Sequence, residues 1–199
     1  MAPTAPQPRY TMLSIEPAHL EMLRRVFEEA GPVCAPLGAV QSTKPHELSE
    51  REQKAVEPAV QLAHDLLQQH GYPLVVRAHE DEPFVELWRY HSSSGLPQVE
   101  PTLAAHVDDG GAVGWDVCTA LFYLQHSCTG GGLFVAEEAD TQEDSMTLIS
   151  VRAGTCVLMR GDVLHEPQAC SGDGLRDCIA VQLKRKSVAH SSSESGWDV

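Results

Sequence analysis

The sequence is short of positive charge: 14 Lys and Arg stand against 28 Asp and Glu, a formal net charge of −14 with histidine neutral. That balance repels a phosphate backbone, and the basic run Lys184, Arg185, Lys186 is too short to line a nucleic-acid groove. Neutral or basic partners fit better, and oxidation of nucleic-acid bases is disfavoured. Long apolar runs are missing as well. No stretch approaches the ~20 residues of a membrane-spanning helix, and the opening MAPTAPQPRYTML holds no apolar core of signal-peptide length. These absences predict a soluble, intracellular protein, cytoplasmic or nuclear, with no membrane partner. The six cysteines contain no CxxC pair, and without a secretory signal they read as reduced thiols, not as a disulfide frame or a zinc site. No internal repeat is visible.

What is present suits one domain: 199 residues with 42% hydrophobic content can bury a sizeable core. Residues 1–10 carry three prolines and predict an extended, flexible arm, and the Ser-rich 187–199 predicts a disordered tail. The working domain is expected over 11–186. Within it Leu20, Leu23, Phe27 and Ala30 recur at helical spacing, with Pro17 suited to a first turn and Gly31 to a stop, so a helix is predicted over 17–30. Ser49 and Glu52 form a capping-box pattern ahead of Val56, Val60, Ala63 and Leu67, which predicts a second helix, bent at Pro58 and ended at Gly71. From Leu74 the texture changes to short β-rich runs: PFVELWRY, TLAAHV, VCTALFYL, GLFVAE, TLISV, TCVLM, VLHEPQ and RDCIAVQL. About eight short strands after two helices predict an α+β, mainly β fold. Its core would be a double-stranded β-helix (jelly roll) over 74–186, buttressed by helical support over 11–71.

Two histidine–aspartate pairs share one spacing, His79–Asp81 and His106–Asp108. On a strand, residues i and i+2 face the same way, so either pair could aim two ligands at one point, and spacing alone leaves both open. A third ligand must arrive from elsewhere. His165 opens a predicted strand just after a Gly161–Asp162 turn, near the expected mouth of the barrel. Two histidines and a carboxylate meeting there would form the facial triad that is diagnostic of non-haem Fe(II) oxygenases. Arg176, entering the last long strand among apolar neighbours, needs an anionic partner that a dicarboxylate would supply. Gly130–Gly131–Gly132 lacks a following GK[ST] and predicts a tight hairpin, not a phosphate cradle.

Taken in order, HxD at 106–108, TALFYL at 119–124, GGGLFV at 130–135, His165, and Arg176 in GLRDCIAV resemble the core of the 2-oxoglutarate- and Fe(II)-dependent oxygenases, prolyl 4-hydroxylase branch. The resemblance covers Tyr90 to Lys186. It selects His106 over His79, because the tyrosine-bearing strand follows His106 closely. By this resemblance His106, Asp108 and His165 are the catalytic iron ligands, and Arg176 pairs with the distal carboxylate of 2-oxoglutarate. Tyr123 would hydrogen-bond that same end, Tyr90 would line the co-substrate pocket, and Leu121 and Leu133 would be its apolar walls. Ala180 and Gln182 depart from the family, where a hydroxyl and an aromatic residue are common.

The activity so implied is hydroxylation of a carbon in a peptide or protein, a prolyl residue first of all, with O2 and 2-oxoglutarate as co-substrates, succinate and CO2 as products, and ascorbate as reductant. The same chemistry on a small molecule such as a free amino acid is the alternative. A non-catalytic jelly-roll binding module is the third reading, opposed by the complete set of triad and arginine. The loop 109–116, with Trp115, is a candidate lid over an extended chain, and Asp109 is either support for the metal site or a turn residue. The acidic EEADTQED at 137–144 is a candidate attraction for cationic partners.

Overall fold

The computed structural model describes residues 8–31, 33–34, 49–72, 84–92, 104–108, 115–137, 146–172 and 174–186. Several expectations lie outside these residues: His79 and Asp81, Asp109 with most of the 109–116 loop, most of the acidic 137–144 segment, and the tail. The side chains of Tyr90, Trp115 and Lys184 to Lys186 lie outside them too.

Both helices form where the sequence periodicity places them. Helix α1 spans Pro17–Ala30, with proline in its first turn, and buries Leu23, Val26 and Phe27. Helix α2 spans Glu50–Gln69, with Pro58 inside it. Its N-terminus is closed by the expected reciprocal box: the Ser49 hydroxyl accepts from the Glu52 N–H, and the Glu52 carboxylate accepts from the Ser49 N–H.

The strands are β1 (Tyr10–Ser14), β2 (Val33–Cys34), β3 (Phe84–Ser92), β4 (Trp115–His126), β5 (Thr129–Gly130), β6 (Leu133–Val135), β7 (Thr147–Ile149), β8 (Thr155–Arg160), β9 (His165–Pro167), β10 (Cys170–Ser171) and β11 (Gly174–Lys186). They build a six-stranded sheet in the order β1-β8-β4-β11-β3-β2, a three-stranded sheet β7-β6-β9, and a two-stranded ladder β10-β5. All pairings are antiparallel except β2 with β3. This is the mainly β, jelly-roll arrangement with two supporting helices.

The central strands β8, β4 and β11 of the large sheet are buried on both faces, and strand alternation sorts their side chains. Phe122 and Leu124 of β4, Leu158 of β8 and Ile179 of β11 pack with Leu23, Phe27 and Leu67 of the helices. Tyr123, Val157, Met159 and Cys178 turn the other way, toward Leu133 and Val135 of the three-stranded sheet. Arg24 of α1 anchors the helical layer by donating through Nε and Nη2 to the Leu124 carbonyl, at 3.2 and 3.0 Å.

Three local expectations differ from the structure. Tyr10, expected at the end of the arm, and Thr11 to Ser14, expected in the helical support, form a strand in full register with β8, from Tyr10 opposite Met159 to Ser14 opposite Thr155. TLAAHV yields no strand among its described residues, 104–107: only His106 pairs, with His165, and Asp108 N–H turns to Gly161 O at 2.8 Å. The glycine run is not the tip of a β5–β6 hairpin either. Gly130 and Gly131, at φ +75 and +70, carry the chain from the β10-β5 ladder into the three-stranded sheet, a turn that Cβ-bearing residues resist.

Candidate metal centre and its pocket

His106 and His165 face each other because their backbones exchange two hydrogen bonds, His106 N–H to His165 O at 3.0 Å and the reverse at 2.9 Å. Their ring centroids are 4.3 Å apart. Asp108 follows the same turn, so its Oδ1 lies 3.7 Å from His106 Nε2 and 3.9 Å from His165 Nε2. One ligand atom from each of the three lies within 4.8 Å of the others.

The protonation pattern suits a cation. Nδ1 of His106 meets the Ala104 carbonyl and Nδ1 of His165 the Val163 carbonyl, both at 2.9 Å. A carbonyl only accepts, so each Nδ1 carries a proton and Nε2 is the ring nitrogen left to face the centre. Burial lowers the pKa of His165 and so favours the neutral ring; the nearby Asp108 carboxylate opposes this more weakly.

Asp108 is held by two neutral donors from the large sheet. The Thr119 hydroxyl of β4 donates to Oδ2, and the Gln182 amide of β11 donates to Oδ1 at 2.9 Å. Neither cancels the carboxylate charge, which stays available to a metal. Imidazole, imidazole and carboxylate on one face of an ion fit Fe(II), with coordination positions left open.

The same pocket continues along the large sheet by strand alternation. It is lined by Thr119, Leu121 and Tyr123 of β4, by Arg176, Cys178, Ala180 and Gln182 of β11, and by Glu86 and Trp88 of β3, with Leu133 and Pro167 from the smaller sheet. Arg176 is only 2% exposed, and its Nη1 donates to Gly131 O at 2.9 Å and Gln168 O at 3.0 Å, which fixes the plane of the fork. A β-bulge, where the β4–β11 register shifts between Asp177 and Cys178, sets Arg176 opposite His126 and Cys178 opposite Tyr123.

No protein-family model and no curated protein matches the chain. Solved structures do. A prolyl 4-hydroxylase from Phytophthora capsici superposes with a TM-score of 0.61 at 15% identity, over 94% of this chain and 62% of that one. A member of the 2OG-Fe(II) oxygenase family from Burkholderia pseudomallei gives 0.55 at 13% identity, over 90% and 86%. The fold is that of the 2-oxoglutarate- and Fe(II)-dependent oxygenases. A non-heme alpha-ketoglutarate-dependent carbocyclase from nogalamycin biosynthesis shares this oxygenase fold at a TM-score of 0.54 and 14% identity, over 93% and 85%.

Within the oxygenase fold, His106, Asp108, His165, Arg176, Tyr123, Leu121 and Leu133 come together in one pocket. The backbone of Tyr90 sits opposite Arg176 in the β3–β11 pairing. Sequence reasoning missed Thr119 as a partner of Asp108 and took Gln182 only as a departure from relatives. The period of two along β11 from Arg176 and along β4 from Tyr123 carries the signal for both.

Proposed function

We propose that this chain is an Fe(II)- and 2-oxoglutarate-dependent dioxygenase that hydroxylates a carbon of a peptide or protein, with a prolyl residue as the first candidate. One observation carries the reading: two Nε2 atoms and a carboxylate converge at the mouth of a pocket whose wall holds the buried Arg176.

In this reading His106, Asp108 and His165 hold the iron. Arg176 pairs with the distal carboxylate of 2-oxoglutarate by a charge-assisted, two-pronged bond, and Tyr123 adds a hydrogen bond at that end. Tyr90 lines the co-substrate, and Leu121 and Leu133 keep water off its chain. Bound iron would couple oxidative decarboxylation of 2-oxoglutarate, giving succinate and CO2, to insertion of one oxygen atom into a substrate C–H bond. Thr119 and Gln182 keep the Asp108 carboxylate aimed at the metal throughout. Ascorbate serves as the reductant that maintains Fe(II).

The second reading, oxidation of a small molecule, is supported by the carbocyclase, whose likeness to this chain is a little below that of the prolyl 4-hydroxylase in TM-score and near it in identity. Turnover with Fe(II), 2-oxoglutarate and ascorbate against a panel of peptides and metabolites separates the two. A peptide product heavier by one oxygen atom supports the first; oxidation of metabolites alone supports the second. Succinate release unaffected by His106→Ala would overturn both.

A further inference from the structure

Two cysteines that the proposed chemistry does not use lie close together behind Arg176. Cys128 sits in the turn between β4 and β5, and Cys170 opens β10. The β10–β5 register pairs Cys170 with Gly130 and Ser171 with Thr129, which sets Cys128 diagonally across the ladder from Cys170. Their Sγ atoms are 2.8 Å apart. A disulfide bond is ~2.05 Å long, so an approach of about 0.8 Å would close one. Cys128 is buried, as are Cys118, Cys156 and Cys178, whereas Cys170 is partly exposed, so a small oxidant reaches the pair through Cys170.

The pair also abuts the support of Arg176. A Cβ built on Gly131 would come within 3.0 Å of Cys170 Sγ and 3.1 Å of Cys128 Sγ, so both sulfurs pack against this glycine. Gly131 O accepts from Arg176 Nη1, and the second acceptor, Gln168 O, lies two residues before Cys170. Both carbonyls that fix the guanidinium therefore hang on the two segments that the sulfurs would join.

We propose that Cys128 and Cys170 are a thiol–disulfide modification site, closed by a low-molecular-weight disulfide, and that the cross-link clamps the two carbonyls holding Arg176. The site stands on the sulfur geometry alone; the clamp's effect rests on the reading of the pocket as a 2-oxoglutarate site. With oxidised glutathione, Cys170 gives up its proton and its thiolate attacks one glutathione sulfur; burial pushes the pKa of this thiol up to about 12, so the step is slow at neutral pH and quickens as pH rises. The glutathione S–S bond breaks and one glutathione leaves as thiolate. Cys128 then loses its proton and attacks the Cys170 sulfur of the mixed disulfide, releasing the second glutathione. Two electrons pass from the cysteines to the oxidant, and the two protons end on two glutathione thiols.

The test uses the full chain, oxidised with glutathione disulfide or kept reduced, followed by alkylation and peptide mapping. The expected product is a Cys128–Cys170 cross-linked peptide, absent from Cys128→Ser and Cys170→Ser. Closure should raise the melting temperature of the natural chain by roughly 5–15 °C and leave both variants unshifted. Calorimetric binding of 2-oxoglutarate, with Mn(II) in place of iron, should be tighter in the oxidised form by roughly fivefold or more. No cross-link, or one formed only to another cysteine, overturns the site. A cross-link with unchanged 2-oxoglutarate affinity overturns the clamp. A cross-link with no 2-oxoglutarate binding in either form supports the site and counts against the pocket's proposed role.

Discussion

Both carboxylate oxygens of Asp108 accept from uncharged side chains, Thr119 on one strand and Gln182 on its neighbour. Support of that kind orients a ligand without neutralising it, so Thr119→Val and Gln182→Leu should each weaken Fe(II) or Mn(II) binding by about 10–100-fold, read by metal titration of the folded chain. Unchanged affinity in both variants would remove the pair from the metal site. His106→Ala, Asp108→Ala and His165→Ala should abolish metal binding and turnover, while His79→Ala leaves both near normal. Iron lost in the His79 variant and kept in the His106 variant would reverse that assignment. Under the proposed function, Arg176→Ala would remove a charge-assisted bond to the co-substrate worth roughly 1.5–3 kcal/mol and should raise the 2-oxoglutarate requirement about 10–100-fold with the metal still bound. Tyr123→Phe should act in the same direction and less strongly, and an unchanged requirement in both would discard the co-substrate reading.

At the scale of the strand, the pocket lining and the helix-facing core occupy opposite faces of the same element. In β4, Thr119, Leu121 and Tyr123 line the pocket while Ala120, Phe122 and Leu124 lie in the helix-facing core. In β11, Cys178, Ala180 and Gln182 line it while Ile179, Val181 and Leu183 pack away. Ile179→Val should therefore cost about 0.5–1.5 kcal/mol, a fall of roughly 1–6 °C in melting temperature, and leave metal affinity alone. Gly161 behaves in the opposite way. Its carbonyl accepts the Asp108 N–H, and a Cβ added there would meet Val117 Cβ at 2.5 Å. Gly161→Ala should displace Asp108 and weaken metal binding beyond any loss in stability, which paired thermal melts and metal titrations can separate.

The molecule as a whole carries a formal charge of −14, and among its described residues no helix is long and apolar enough to cross a membrane. A field of that sign attracts cationic partners over distances that salt screens to about 8 Å at physiological ionic strength. Under the proposed function, proline-containing basic peptides should be turned over faster than matched acidic ones, and the gap should narrow as salt is raised. Equal rates at every ionic strength would leave the acidic surface as solvated exterior, and turnover of free amino acids without peptides would favour the small-molecule reading.

The sequence by itself determined the two helices, through apolar spacing, Pro17 and the Ser49–Glu52 box, because helical periodicity and capping are local. It also marked most of the strand-forming runs, and His165 and Arg176 as residues to inspect, since polar groups at the ends of apolar runs stand out by type and place; between His79–Asp81 and His106–Asp108 only the family resemblance chose. Tertiary structure alone decided that Tyr10–Ser14 is a strand: its partner, β8, begins at Thr155, and nothing local signals so distant a pairing. It alone turned the 104–108 segment into a single bridge, because Asp108 N–H finds Gly161 O and not a neighbouring strand. Gln182 became a partner of Asp108 for the same reason. Seventy-four positions separate them, and only the register of β11 against β4 brings the amide within 2.9 Å of the carboxylate.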